Sequence, residues 1–76
     1  MEWDYRVILY DSDENHCYKI HEVFYDERGE IIAVTEEAIE AMGDTLEDLV
    51  ADLLLMAQAA EKPVLSKREL DQFLKE

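Results

Sequence analysis

The side chains best suited to chemistry lie between residues 11 and 22. Asp11, Asp13, Asn15 and Glu22 have the spacing of a calcium loop, which takes oxygen ligands at positions one, three, five and twelve. The sixth position of such a loop is normally glycine, because the backbone turns sharply there, but this chain has His16. Helices should also flank the loop, whereas the neighbouring residues alternate like strands. The sequence therefore favours a solvated hairpin turn over a calcium site.

A transition-metal site or a catalytic thiol is the next possibility, since His16, Cys17, His21 and Glu22 are of suitable types. In an extended strand His16 and His21 point to opposite faces, because their separation is odd. Cys17 and His21 share a face, but two ligands do not hold zinc. Along a strand the pair would lie about 13 Å apart, too far for a nucleophile and its base. We expect no metal, no cofactor and no catalytic thiol.

Other catalytic signals are also missing. The chain has no glycine-rich phosphate loop and no serine nucleophile motif, and a domain of 76 residues has little room for a pocket. Only a carboxylate pair for acid–base catalysis is left open. We predict that the protein is not an enzyme.

The first half of the chain alternates with the period of two that indicates β-strands. Three strands are predicted, at Trp3 to Tyr10, Cys17 to Tyr25 and Glu30 to Thr35. Polar residues 11–15 join the first two. The last two are joined by a type I turn, residues 26–29, whose glycine takes the left-handed conformation. These segments predict an antiparallel meander.

The second half changes to a helical period. Thr45 and Asp48 have capping-box spacing, and an apolar stripe follows them. The members of this stripe are Leu46, Leu49, Val50, Leu53, Met56, Ala57 and Ala60. One long helix is predicted near residues 45–61, and a short one near residues 66–75 after the Ser66 capping box.

Together these elements predict an α+β fold. It consists of a three-stranded antiparallel sheet followed by one long helix packed on it and a short C-terminal helix. Residues 36–43 are predicted to cross from the sheet to the long helix, with room for one helical turn. Residues 1–76 would form a single acidic β-β-β-α-α domain.

Charge is the strongest functional signal. The chain has 20 Asp and Glu against 7 Lys and Arg, a net charge of −13. Such a chain repels nucleic acids and anionic membranes, and it attracts proteins with basic, nucleic-acid-binding surfaces. No segment approaches the roughly 20 apolar residues of a membrane span, and the first residues lack the character of a signal peptide. We expect a cytoplasmic location, in a bacterium or a phage-infected host.

The predicted partner-binding residues lie mainly on the long helix and the segment leading into it. Seven acids occur there without a base: Glu36, Glu37, Glu40, Asp44, Glu47, Asp48 and Asp52. Leu55, Trp3 and Tyr25 are predicted apolar contacts, since one sheet face would have no helix over it. Alternatively, the short terminal helix covers the surplus apolar surface of the long one. A competing acidic cluster lies at the hairpin end: Asp11, Asp13, Glu14, Asp26 and Glu27.

The stretch Gly43-Asp44-Thr45-Leu46-Glu47-Asp48-Leu49, opening a helix after three strands, resembles the corresponding segment of HicB-type antitoxins. The likeness spans residues 5–60. It implies a truncated RNase H-like domain, strand-strand-strand-helix-strand, without nuclease activity. Such domains neutralise a small basic RNA-cleaving toxin by covering it. The chain departs from that pattern, because the sequence indicates neither a fourth strand after the helix nor a DNA-binding tail.

The chain has two further resemblances, of which only the first bears on function. In size and charge the chain is similar to small acidic phage inhibitors, the DNA mimics and anti-CRISPR proteins that occupy basic channels of host defence complexes. Its opening, Trp3-x-Tyr5-Arg6-Val7, resembles a group of small bacterial proteins of unknown role.

The function expected is a non-catalytic acidic binding protein that inhibits or masks a basic nucleic-acid-handling partner. That partner would be an RNase toxin, if the protein is an antitoxin-like neutraliser, or a CRISPR effector subunit, if it is a phage inhibitor. No direct contact with nucleic acid or membrane is expected, and a homodimer is open. The alternative is a housekeeping module that binds its partner through apolar contacts, with the acids serving solubility.

Overall fold

A computed structural model describes residues 2–12, 14 and 16–74. Within these residues the fold is α+β, with four strands and two helices. In chain order the elements are β1 (Glu2–Asp11), β2 (His16–Tyr25), β3 (Ile31–Val34), α1 (Leu46–Ala59), β4 (Leu65–Ser66) and α2 (Lys67–Leu74). None of the described helices is long and apolar enough to cross a membrane.

Strands β1, β2 and β3 form the predicted antiparallel meander. β1 pairs with β2 from Glu2 opposite Tyr25 to Asp11 opposite His16. The turn between β2 and β3 has Gly29 at φ 82°, which confirms the predicted left-handed glycine. In the same turn the Asp26 carboxylate accepts bonds from the backbone N–H groups of Arg28 and Glu30, both at 2.9 Å. The turn therefore stabilises itself locally, as the sequence predicts.

A fourth strand corrects the expectation of a three-stranded antiparallel sheet. β4 lies beside β1 and runs parallel to it, so that the sheet is mixed and has the order β3-β2-β1-β4. Two contacts fix the approach to β4: Arg6 Nη2 donates to the Pro63 carbonyl at 2.8 Å, and Lys62 Nζ pairs with the Asp4 carboxylate at 2.7 Å. The expectation that no strand follows the long helix was wrong, because a strand of two residues has no detectable period.

The two helices lie on opposite faces of this sheet. α1 covers the face that carries Tyr5, which clusters with Met56 and Ala59. α2 covers the other face, where Leu70 is buried and Lys67 lies over the Tyr10 ring, 5.6 Å from its centroid. The predictions that one sheet face lacks a helix and that the short helix covers the long one were therefore wrong.

The sheet also curls around α2. Ile31 of β3 and Leu65 of β4 belong to opposite edges, yet both line one hollow of about 560 Å³ with Phe73 of α2. Ile8, Val23 and His21 are fully buried on this concave side. The best-buried side chains of the described residues are therefore under α2 and not under the longer helix.

The helix ends follow the predicted caps. Thr45 Oγ1 accepts from the Asp48 N–H at 3.1 Å, and Ser66 Oγ accepts from the Glu69 N–H at 3.2 Å. The segment before α1 contains no helical turn, although the sequence analysis allowed for one. It runs over the sheet instead, where the Ile39 N–H donates to the Ile20 carbonyl at 2.8 Å.

Candidate functional site

Six exposed carboxylates lie before and at the start of α1. We call them the acidic segment: Glu36, Glu37, Glu40, Asp44, Glu47 and Asp48. Within the described residues none of these carboxylates makes an ion pair or a side-chain hydrogen bond. The chain has no Lys, Arg or His between residues 36 and 61. The acidic segment is therefore a surface of uncompensated negative charge.

The described Lys and Arg residues, by contrast, all have local partners. Arg6 donates to Tyr25 and Pro63, Lys19 lies 4.6 Å from the Tyr10 ring centroid, and Arg28 approaches Glu30 at 4.0 Å. The remaining three behave likewise, through the pairs Lys62–Asp4, Lys67–Asp71 and Arg68 with the Asp11 carbonyl. The positive charges in this part of the chain are used within the fold, which leaves the acidic segment unscreened.

The backbone of the acidic segment is held at its middle and where it meets α1. Ile39 and Ala41 pack against the cluster of Tyr5, Met56 and Ala59, which anchors the middle of the segment to the sheet. At its end Gly43 lies so close to the first turn of α1 that an added Cβ would be 2.3 Å from the Leu49 nitrogen. The carboxylates are thus displayed from a fixed path on the protein surface.

Asp52, one of the predicted partner-binding acids, is engaged within the fold. Its carboxylate faces the sheet, where it accepts from the Tyr5 hydroxyl at 2.6 Å and from the Met42 N–H at 3.0 Å. These bonds lower the pKa of Asp52, with the larger effect from Tyr5. The same bond raises the pKa of Tyr5 to about 12. Asp52 therefore ties α1, the sheet and the acidic segment together.

Removing the Tyr5 hydroxyl should weaken this tie. We expect Tyr5→Phe to lower the free energy of unfolding by about 1–2 kcal/mol, because the Tyr5 hydroxyl donates to a charged oxygen of Asp52. Tyr18→Phe is the matched control, since Tyr18 is exposed and its hydroxyl has no bond among the described residues. Urea unfolding by circular dichroism measures both values. Equal costs for the two variants would contradict the structural role of the bond.

The pH range of the tie follows from the two pKa shifts. Asp52 has a depressed pKa in the folded state, so its contribution is present above the unfolded value of 3.8 and is lost as pH falls below it. Tyr5 has a raised pKa, so its contribution is present below 10.0 and is lost as pH rises towards about 12. The Tyr5–Asp52 hydrogen bond therefore stabilises the fold across neutral pH.

The competing hairpin-end cluster is less available than the acidic segment. Asp11 lies 3.4 Å from the His16 ring, and Asp26 is bonded within its own turn. Glu14 and Glu27 are exposed, whereas Asp13 lies outside the described residues. The acids of this cluster are thus partly engaged and divided between two turns.

Of the four residues with calcium-loop spacing, Asp11 and Glu22 lie far apart in the described part of the chain. Asp13 and Asn15 are outside the described residues, and Glu22 lies in β2 opposite Tyr5. Six residues of strand separate Glu22 from His16, a distance of about 20 Å. No group of three or more His, Cys, Asp or Glu in the described part of the chain could hold a metal ion.

Of the predicted apolar contacts, Leu55 and Trp3 are exposed, each at 49%. Tyr25 is partly buried, and its hydroxyl bridges Arg6, at 2.9 Å, and the Asp4 carboxylate, at 2.8 Å. Trp3 also packs edge-on against Tyr5. Trp3 and Leu55 therefore stay available for a partner, whereas Tyr25 has a structural role.

The apolar stripe predicted to pack on the sheet is largely exposed. α1 turns Leu49, Asp52, Met56 and Ala59 towards the protein, whereas the rest of the stripe faces solvent. These exposed residues, which we call the seam, are Leu46, Val50, Leu53, Ala57 and Ala60. The helix is rotated because the Tyr5–Asp52 bond lies on its inward face, a contact that no hydrophobic pattern indicates.

A buried histidine is the feature that sequence analysis missed most clearly. His21 has no exposed surface, and its Nδ1 donates to the Thr35 carbonyl at 2.9 Å. Its Nε2 lies 2.7 Å from the Tyr10 hydroxyl, which donates to it when the ring is neutral. Burial lowers the pKa of His21, and nearby Lys67 and Lys19 act in the same direction. The neutral imidazole is therefore part of the fold.

This burial predicts a pH dependence of stability. Below the ordinary pKa of 6.5 the unfolded chain takes up a proton that folded His21 resists, so stability falls as pH drops through that value. Easing repulsion among the carboxylates acts in the opposite direction. Comparison with His21→Gln separates the histidine effect from the carboxylate effect. The variant should lose the part of the slope of unfolding free energy against pH that His21 causes, up to about 1.4 kcal/mol per pH unit.

Comparisons of the chain with protein-family models, with curated proteins and with solved structures gave no match.

Proposed function

We propose that the protein is a non-catalytic acidic binding protein that masks a basic nucleic-acid-handling partner. The observation that carries this proposal is the acidic segment, whose six carboxylates are exposed and unpaired while the described bases are engaged elsewhere. Uncompensated charge of one sign raises the rate at which an oppositely charged partner associates. The same charge opposes binding to nucleic acid or to an anionic membrane.

The fixed backbone of the acidic segment supports specific binding. A solubilising surface needs only charge, whereas Ile39, Gly43 and Asp52 hold these carboxylates along one path. A basic groove that binds a phosphate backbone presents charges in a similarly fixed line. The acidic segment would occupy such a groove in place of the nucleic acid.

Of the two versions of this function, we favour an antitoxin-like neutraliser of a small basic RNase. The described elements run strand-strand-strand-helix-strand, the order that the resemblance to HicB-type antitoxins implies, with a further helix after β4. A phage inhibitor of a CRISPR effector subunit rests on size and charge and has no comparable support in the fold. Either role belongs in the cytoplasm, of a bacterium or of a phage-infected host.

An apolar interaction module is the second candidate, favoured by the exposed seam. In that case the acids serve solubility and the seam binds the partner. The two candidates differ in salt dependence, because surface charges are screened beyond about 8 Å at physiological salt whereas apolar contacts are not weakened.

Affinity capture from the source cell tests the proposal. The bait is the parent chain or a variant with Glu36, Glu37, Glu40 and Glu47 replaced by Gln, each at low and high salt. We expect the parent alone to retain a basic protein at low salt, and the parent then to block RNA binding or cleavage by that protein once it is purified. Capture that is independent of both salt and variant would support the apolar module instead.

A further inference from the structure

The seam has the spacing of a coiled-coil contact. Its residues follow one another at intervals of four, three, four and three, which is the a/d pattern of two heptads. Leu46 is 75% exposed and Leu53 49% exposed, although neither has a charged or polar group. A helix within a single chain normally turns such a stripe inwards. This one faces solvent along the whole of α1.

The accessible surface area of the chain is larger than that of an average folded monomer of the same mass. Its accessible area is 5976 Å², against about 4,800 Å² for an average folded monomer of this mass. Its radius of gyration is 13.2 Å, against about 11.4 Å for a compact domain of this length. The excess of about 1,200 Å² exceeds the roughly 800 Å² that each partner buries in a standard stable interface.

The two ends of the seam differ in size in a complementary way. Its first half carries the large residues Leu46 and Val50, and its second half carries Ala57 and Ala60. Ala60 also lines a shallow hollow of about 380 Å³, whose other lining residues are Val7, Tyr18, Lys19, Ile20 and Val64. An antiparallel pair of such helices would place large residues of one copy over small residues of the other.

We propose that the occupant of the seam is a second copy of this chain, with the two α1 helices antiparallel. Leu53 lies near the two-fold axis, and Leu46 of each copy packs beside the Ala60 hollow of the other. This arrangement is independent of the proposed function, because Glu36, Glu37 and Glu40 of the acidic segment lie outside the seam. The dimer would carry two acidic segments.

Charge gives the dimer a distinctive salt dependence. Glu47 and Glu61 lie on one edge of the seam, and antiparallel pairing brings Glu47 of one copy towards Glu61 of the other. Like charges oppose this contact, so dimerisation should tighten from about 0.1 M to about 1 M salt, as the Debye length falls from about 10 to about 3 Å. A basic partner in the seam would show the opposite trend.

Sedimentation equilibrium of the purified chain tests the proposal. We expect a species of twice the 8.9 kDa chain mass for the parent. Leu53→Asp should weaken dimerisation by about a hundredfold or more, because it buries an unpaired charge at the contact. Leu55→Asp is the matched control, since Leu55 is also 49% exposed on α1 but lies off the seam. Circular dichroism must show both variants folded.

Orientation is tested by a short bis-maleimide cross-linker in a Cys17→Ser background. A mixture of Leu46→Cys and Ala60→Cys proteins should cross-link to each other, whereas Leu46→Cys alone should cross-link weakly. Preferential linking of Leu46→Cys to itself would overturn the antiparallel arrangement. The dimer would be overturned if the parent stays monomeric at about 1 M salt and millimolar concentration. It would also be overturned if Leu53→Asp and Leu55→Asp weaken dimerisation equally. The Glu→Gln bait used for capture should dimerise at least as tightly as the parent, because it loses the Glu47 repulsion and keeps the seam, so the two proposals fail separately.

Discussion

Replacing Glu36, Glu37, Glu40 and Glu47 together by Gln will slow association with the basic partner by about tenfold or more at low salt. These four side chains are exposed and unpaired. Three of them lie on the segment between β3 and α1, and Glu47 lies in the first turn of α1. Each carboxylate alone should contribute less than about 1 kcal/mol, as exposed charges do. The slower association is therefore expected only when all four are replaced together. The association rate of the variant should also fall less steeply as salt is added.

The control for this prediction is a variant with the same change in net charge at other exposed positions. Glu2, Glu14, Glu27 and Glu30 are also exposed, and replacing them by Gln takes the net charge from −13 to the same value of −9. Association rates measured by stopped-flow mixing at two salt concentrations compare the variants directly. If both sets slow association equally, total charge governs recognition and the acidic segment has no special role.

Gly43→Ala will destabilise the fold by about 3 kcal/mol, as overpacking of a tight contact does. An added Cβ would lie 2.3 Å from the Leu49 nitrogen and 2.6 Å from the Asp48 carbonyl carbon, both atoms of the α1 backbone. The Leu49 N–H already donates to the Thr45 carbonyl at 3.0 Å. Relief of the clash must therefore shift either the helix start or the acidic segment.

Gly29→Ala provides the contrast for this prediction. Gly29 has φ 82° and nothing within 4 Å of an added Cβ, so its substitution meets only the strain of the left-handed conformation. That strain costs about 1–2 kcal/mol. Urea unfolding of both variants measures the difference. A Gly43 variant no less stable than the Gly29 variant would mean that the segment does not pack on α1 as described.

Local features of the fold could be predicted from the sequence because their causes are local. The turn at Gly29 and the caps at Thr45 and Ser66 depend on residues within four positions of one another. Strand alternation likewise placed His16 and His21 on opposite faces, as the β1–β2 register has them. These elements depend on local backbone preferences, which do not change with the tertiary contacts around them.

Features that depend on distant contacts were missed. The hydrophobic pattern pointed the wrong face of α1 at the sheet, since Asp52 pairs with Tyr5 across 47 residues of chain. The same limit hid the burial of His21, whose partners are supplied by Thr35 and Tyr10 from neighbouring strands. In the candidate site, the acids predicted from the sequence are exposed, except for Asp52, which is partly buried; the hydrogen bonds that Asp52 and Tyr25 make within the fold could not be predicted.

The parallel strand β4 sets an order on folding. Its approach is fixed by the Arg6 contact to Pro63, between residues 57 apart. Closing a loop of that length costs about 3.6 kcal/mol before the length-independent part, whereas the hairpins close over a few residues. The meander can therefore form early, but α2, which follows β4 directly, must dock last. Until it does, His21 and Ile8 are hydrated, and the newly made chain exposes the concave face of its sheet.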